Sequence, residues 1–380
     1  MLYEILSNQF FLIFSTILIG VEIGKVEIGK FKLGFSGALF AGLFEGWLIA
    51  ALLKHVGYFS KASNLNISGE LFHFSLILFI SAVGLLAGKD IGTLFKKYGL
   101  KFLLLGFFMT FIGMIFTLLL EKAFHGSRYI FLGIFTGAMT SSPGLAAALG
   151  VSSTPLSGSL IGYGYALGYV PGVLVVVVFM SLMPILFKNE SFKSAELSKK
   201  TKNEEKGTFD FMAFSLVVIV GIALGKLKIS SFRLGLTGGT LTSSLFFGYL
   251  KNLGPFNFSM NNQILNNIKN LGLLLFLSIV GLKYGFTTVT SFNSSGIIYM
   301  FLAFLISFIS IFFGFLVGKF VFKMNWNLLA GALCGGMTST PGLGAALDNT
   351  KSEETVGGYG AVYPFALLGM IIFVMIINLS

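Results

Sequence analysis

The feature that most constrains this chain is its succession of apolar stretches, each close to the length that crosses a bilayer. Breaks at charged or Gly/Asn-rich points leave segments near 9–24, 33–53, 70–88, 99–120, 129–150 and 158–187, then 209–225, 234–250, 264–286, 296–318, 328–347 and 355–378. A helix needs roughly 20 apolar residues to cross the hydrocarbon core, so twelve such segments leave no room for a large soluble domain. Only 11% of the residues are charged and 55% are hydrophobic, against roughly a quarter charged in a soluble protein. The scarcity of polar residues excludes a disordered chain. The fold class is an all-α polytopic membrane protein whose principal partner is the lipid bilayer.

Several function classes fall at this stage. Cys334 is the single cysteine, so neither a disulfide scaffold nor a thiolate metal site can form. There is no His pair at helical spacing and no acidic cluster in an apolar segment, which leaves no expected metal, no cofactor and no enzyme. The N-terminal MLYEILSNQFFLIFSTILIG lacks a basic n-region and a small-residue cleavage site, and is read as a retained first membrane segment. Lys and Arg number 26 against 15 Asp and Glu. In a soluble domain that excess would suggest nucleic acid; here, with no basic stripe interleaved with aromatics, it is an orientation signal.

The sequence is written twice. The only long polar run, Lys188 to Lys206, divides a first membrane repeat (1–187) from a second (209–380), with 188–208 as linker. Residues 24–37, GKVEIGKFKLGFSG, pair with GKLKISSFRLGLTG at 225–238, and FISAVGLLAG from Phe79 pairs with FLSIVGLKYG from Phe276. TGAMTSSPGLAAAL (136–149) matches CGGMTSTPGLGAAL (334–347) at ten of fourteen positions, and each is followed by a Gly/Tyr stretch ending at Pro171 or Pro364.

Charge bears on whether the repeats are parallel or inverted. With the linker inside and all twelve segments crossing, basic residues divide 14 inside to 12 outside. If the fifth segment of each half enters and leaves on one side, the split becomes 18 to 8, because Lys25, Lys30, Lys32, Lys89, Lys96, Lys97 and Lys101 become cytoplasmic. Retention of Lys and Arg inside selects the second arrangement. Each half then crosses five times and adds one broken or re-entrant segment, so the halves are inverted and both termini lie outside.

The fifth segments carry the chemistry. Ser142-Pro143-Gly144 and Thr340-Pro341-Gly342 read as helix starts inside a membrane segment, with Ser142 or Thr340 as N-cap and proline next. Free N–H groups and the positive helix end would then face the break. Two such ends brought together by inverted symmetry form an anion site lining a cavity. The candidate substrate ligands are Thr140, Ser141, Ser142, Pro143, Gly144, Thr338, Ser339, Thr340, Pro341 and Gly342, with Tyr163 and Tyr359 on the following segments. Tyr165 and Tyr363 share those segments, where a ligand contact competes with interfacial anchoring. Gly133-xxx-Gly137 and Gly331-xxx-Gly335 suit close helix packing.

Glu45 lies inside the apolar run SGALFAGLFEGWLIAALL with Phe246 opposite it in the other repeat, and an intramembrane acid is a candidate for coupling. Coupling would use Na+ or H+. Asp348 follows the second motif and reads as solvated. Gly34-Phe35-Ser36-Gly37 fits the GxSG of intramembrane serine proteases, but its counterpart is Gly235-Leu236-Thr237-Gly238 and no membrane histidine faces it. Thr355-Val356-Gly357-Gly358-Tyr359-Gly360 has one glycine too many for a potassium filter.

In the G-K-x-x-I-x-x-F-x-L-G stretch, the LFLSIVGLKYG block (275–285) and the doubled T-S-[ST]-P-G-L-x-A-A motif, the sequence resembles the aspartate:alanine exchanger family of bacterial permeases. The resemblance implies a secondary transporter of small carboxylates or amino acids, with the fold of glutamate symporters and sodium/proton antiporters. It also implies an inner-membrane location, a homodimer, and a substrate site at Thr140–Gly144 and Thr338–Gly342. Family members often carry paired soluble regulatory domains between the halves, where this chain has only about 20 residues. The family places that insert in the cytoplasm, in agreement with the linker-inside arrangement. The expected function is an exchanger of small organic anions; a passive anion channel or an ion-coupled symporter is the alternative.

Overall fold

The computed structural model describes residues 8–28, 31–32, 34–55, 65, 67–152, 154–186, 208–229, 232–233, 235–290 and 294–379. The first half comprises α1 (Gln9–Lys25), a short hairpin of β1 (Glu27–Ile28) and β2 (Phe31–Lys32), a 3-10 turn (Gly34–Ser36), α2 (Gly37–His55), α3 (Gly69–Tyr98), α4 (Leu100–Phe124), α5 (Arg128–Ala138), α6 (Ser142–Gly150) and α7 (Pro155–Leu186). The second half repeats the order: α8 (Phe211–Lys226), β3 (Lys228–Ile229) with β4 (Phe232–Arg233), α9 (Gly235–Leu250), α10 (Asn262–Thr290), α11 (Ser294–Leu316), α12 (Trp326–Gly336), α13 (Thr340–Thr350) and α14 (Glu353–Leu379). A third hairpin, β5 (Asn252–Leu253) with β6 (Phe256–Asn257), precedes α10. Of the linker, residues 188–207 lie outside the described residues.

Seven helices among the described residues are long and apolar enough to cross a membrane: α2, α3, α4, α7, α10, α11 with its terminal π turn, and α14. Their outer faces carry large apolar side chains, as at Phe44, Leu104, Phe301 and Phe308. This is a multi-pass all-α membrane protein. The shorter α1 and α8 each pack on the helix that follows them, Gly20 backing on Ala38 and Gly221 on Thr240.

Packing exchanges the halves. α2 lies beside α10 and α9 beside α3; α4 lies beside α14 and α11 beside α7. Helices in equivalent positions cross antiparallel. Lys89, toward the end of α3, reaches Asn262 at the start of α10, while Phe72 near the start of α3 meets Phe276 and Lys283 farther along α10. In the same sense Gly113 faces Ser310, and Met109, earlier in α4, faces Gly314, later in α11.

The glycine repeats set the course of the broken segments. A Cβ on Gly133 would stand 2.1 Å from the Ile161 carbonyl oxygen, and one on Gly137 2.6 Å from that of Tyr165. Position increases along both helices together, so α5 and α7 run parallel. Gly331 and Gly335 make the same close approach to Thr355 and Tyr359, so α12 runs parallel to α14. The chain must therefore reverse between each pair, and the short helices α6 and α13 make the return.

Candidate functional site

Each reversal begins at a residue that cannot continue a helix. Pro143 lacks an N–H, and its ring would strike the carbonyl four residues back, that of Met139; Pro341 does the same to Met337. α5 and α12 stop there, and the next residues, Thr140 (φ 52°) and Thr338 (φ 50°), adopt the left-handed region. A β-branched residue in that region is strained, and such strain concentrates at functional sites. The two carbonyls orphaned by proline are satisfied across the repeats. Thr338 Oγ1 donates to Met139 O at 3.0 Å and Thr140 Oγ1 donates to Met337 O at 2.8 Å.

The caps differ from the sequence expectation by one residue. Ser141 and Ser339, not Ser142 and Thr340, are the N-caps, each accepting from the N–H three residues on, Gly144 or Gly342, at 3.1 Å. The reason is the left-handed threonine, which turns the chain one residue earlier and leaves proline at the second helical position. Capping consumes one N–H per half-helix and proline removes another, so each start presents fewer donors than an uncapped end. Ser142 and Thr340 are left to present their hydroxyls beside the break. Ser142 Oγ lies 3.4 Å from Tyr165 Oη, and Thr340 holds the same relation to Tyr359.

The tyrosines also differ from the register suggested by the Gly-Tyr-Gly match. Gly164 backs on Ile130 as Gly358 backs on Leu328, so Tyr165 is the structural equivalent of Tyr359, and Tyr169 of Tyr363. From proline to tyrosine the first repeat has 22 residues and the second 18, a difference of about one helical turn. Tyr163 is buried against Tyr299, away from the cavity, its hydroxyl without a partner among the described residues.

Both breaks floor one cavity of about 1080 Å³, to which Thr140, Ser142 and Pro143 contribute from one repeat and Thr338, Thr340 and Pro341 from the other. Tyr359, Tyr363 and Tyr169 stand in its wall; Ser141, Gly144, Ser339 and Gly342 lie behind the surface and shape it. The cavity extends along the last turn of α1 (Val21, Lys25), the middle of α3 (Phe79, Val83) and the first half of α10 (Asn262 to Leu273). Its described lining holds Lys269, Lys25, which is paired with Glu22 at 2.6 Å, and no carboxylate. The mouth lies where α1 ends and α10 begins. α7 ends on the same side, since it runs parallel to α11, with Tyr163 on Tyr299 and Phe179 on Phe315. Farther along α10 than the lining residues, Phe276 packs against Phe72 and Phe79 of α3.

Glu45 is placed outside the cavity. Its carboxylate accepts from Ser15 Oγ (2.5 Å) and Thr16 Oγ1 (2.6 Å), tying α2 to α1. Phe246, opposite it in the repeat, is exposed on the outer face. Asp348 lies in α13, with its side chain outside the described residues. The candidate that sequence reasoning missed is Lys269. Asn262, Asn266 and Asn270 recur beside it at helical spacing, but Gln263 and Asn267 make the opposite, exposed face polar as well, so the sequence marks no single face.

The family described as a predicted permease membrane region, Asp-Al_Ex, matches residues 12–185 and 213–379. The chain belongs to the Asp-Al_Ex family. An uncharacterized transporter of Bacteroides thetaiotaomicron is 23% identical, covering 100% of this chain and 99% of that protein over 547 aligned positions. One from Desulfotalea psychrophila is 22% identical over 97% and 96% of the two chains. A transport protein of Glaesserella parasuis is 30% identical over 50% of this chain and 34% of its own. The 547 positions exceed the 380 residues of this chain, so the Bacteroides alignment includes sequence absent from the Asp-Al_Ex member described here.

Proposed function

We propose that the chain is a secondary transporter, an exchanger of small organic anions such as amino acids or dicarboxylates, in a bacterial inner membrane. The observation that carries this reading is the pairing of two half-helix starts on the floor of a cavity whose described lining includes Lys269 and no carboxylate. Helix N-termini and cations favour an anion, and Ser142 and Thr340 add hydroxyl donors. Each half crosses five times with one re-entrant hairpin, and the halves are inverted. The antiparallel courses of α3 with α10 and of α4 with α11 support the inversion, and the parallel courses of α5 with α7 and of α12 with α14 support the hairpins. With the Lys-rich linker in the cytoplasm, both termini lie outside and the cavity faces inward.

Inverted repeats with broken segments lining one cavity are the arrangement of alternating-access carriers, which supports exchange over a continuous pore. α3 and α10 belong to the helices around the hairpins, so movement of the bundle carrying both breaks past them would open the opposite side. Counterflow in proteoliposomes tests the reading. Labelled carboxylate uptake is expected to saturate and to accelerate when unlabelled substrate is loaded inside. Uptake that rises linearly with concentration and ignores internal substrate would overturn it in favour of a channel.

A further inference from the structure

The repeats diverge at one place that the paired breaks do not explain. The first half of α10 turns Asn262, Asn266, Lys269 and Asn270 into the cavity between its mouth and its floor. The repeat register carries Lys269 and Leu273 onto Phe72 and Leu76 of α3 and Asn262 onto Leu65 before it, all three buried, while Asn266 and Asn270 fall on the exposed Gly69 and His73. Thus one repeat has a lysine where the other buries a phenylalanine. A lysine within a membrane helix is costly, and in an inverted pair of otherwise similar helices nothing in packing requires it.

Lys269 is half-buried, and Nζ donates to Asn266 Oδ1 at 2.7 Å. An ammonium carries three N–H donors, so this bond leaves two. No carboxylate pairs with Lys269 among the described residues. Lys89 is held at the start of α10 by Asn262 Oδ1 at 2.8 Å and the Met260 carbonyl. Phe79 and Val83 of the neighbouring α3 line the same cavity and supply no counter-ion.

We infer that Lys269, with Asn266 and Asn270, forms a second anion subsite that binds a further carboxylate of the substrate and so selects dicarboxylates over monocarboxylates. The subsite rests on the reading of the cavity as an anion site. The first carboxylate meets Ser142 and Thr340 at the breaks; the second meets the free N–H groups of Lys269 and the Asn270 amide, with Asn266, which accepts from Lys269 and donates to the Asn262 carbonyl at 2.8 Å, holding the ammonium in place. A cavity of about 1080 Å³ has room for both groups at once. A monocarboxylate would engage the floor and leave Lys269 as it is.

The test is equilibrium binding to the purified full chain of malonate, succinate and glutarate, each against the monocarboxylate of equal carbon number. Lys269→Gln, Lys269→Arg and Thr340→Ala are compared with wild type, with melting temperature as the check on folding. Wild type is expected to prefer one dicarboxylate, and Lys269→Gln to weaken that ligand about tenfold or more while its monocarboxylate changes less than about twofold. Lys269→Arg should restore most of the preference, and Thr340→Ala should weaken both ligands. Equal weakening of both ligands by Lys269→Gln, no change in either, or a wild type without preference would overturn the subsite and leave the anion site standing. A wild type that binds none of these acids would count against the anion site itself, and the subsite with it.

Discussion

Thr140 and Thr338 interlock: each hydroxyl donates to the carbonyl just before the other threonine, Met337 and Met139, at 2.8 and 3.0 Å. Those two carbonyls are the ones each proline leaves without an intrahelical donor. The motif therefore cannot be understood one copy at a time, because proline in one repeat creates the acceptor that threonine in the other repeat satisfies. Both threonine hydroxyls are engaged with backbone, so their effect on a ligand passes through the shape of the floor.

Thr140→Val and Thr338→Val should each lower stability by about 1–3 kcal/mol, since a buried carbonyl loses its donor. Serine keeps the hydroxyl and sheds the β-branch that left-handed backbone penalises, so Thr140→Ser should melt at or above the wild-type temperature. The double valine variant should be non-additive, because the two bonds share one junction. Melting curves in detergent would check all three.

The caps give a smaller and separate effect. Ser141→Ala and Ser339→Ala should each cost about 1 kcal/mol, with glycine milder than alanine. If the sequence-based assignment of the cap to Ser142 and Thr340 were right instead, alanine at those positions would carry the larger loss of melting temperature.

Glycine substitutions should divide sharply. A Cβ on Gly331 would lie 1.8 Å from the Thr355 carbonyl oxygen, so Gly331→Ala forces α12 off α14 at a cost of about 1–3 kcal/mol or more. Gly344 lines the same cavity with nothing within 4 Å of its Cβ position, so Gly344→Ala should leave the melting temperature unchanged. Comparable melting temperatures for the two variants would contradict the parallel packing of α12 on α14.

Glu45→Gln keeps an acceptor for Ser15 and Thr16, whereas Glu45→Ala removes both. The account expects the alanine variant to be the less stable, and transport by the glutamine variant to keep the wild-type pH profile, because Glu45 lies off the cavity. A flattened pH profile in Glu45→Gln would instead make it a coupling group.

Asp210 caps α8 and holds the β5–β6 hairpin, accepting from Ala213 N and Asn257 N, both at 2.9 Å. Those backbone donors hold its carboxyl below the usual carboxylate range. The contribution is present above the unfolded carboxyl range and is lost as pH falls through the lower folded value. Asp210→Ala should therefore melt below wild type at neutral pH, with the gap closing in acid.

Much of the architecture was legible from hydropathy and internal repetition, because each broken segment announces itself by a proline after Ser or Thr in an apolar run. The one-residue displacement of the caps was not legible, since it follows from the left-handed turn at Thr140 and Thr338, a conformation that threonine rarely adopts. Tyr165 was hidden behind Tyr163 because the first repeat holds an extra turn between proline and tyrosine, and a local Gly-Tyr-Gly match ignores it. Lys269 carried no motif; its importance appears only when the face it shares with Asn262 and Asn266 is seen to line the cavity that the two breaks close.

An anion bound where the two broken segments meet would be seen by calorimetric titration of the purified chain with the carboxylate that stabilises it most, repeated on Ser142→Ala, Thr340→Ala and the pair. Each single change is expected to weaken binding about tenfold, with melting temperatures of the ligand-free proteins unchanged. Wild-type affinity in both folded variants would contradict it.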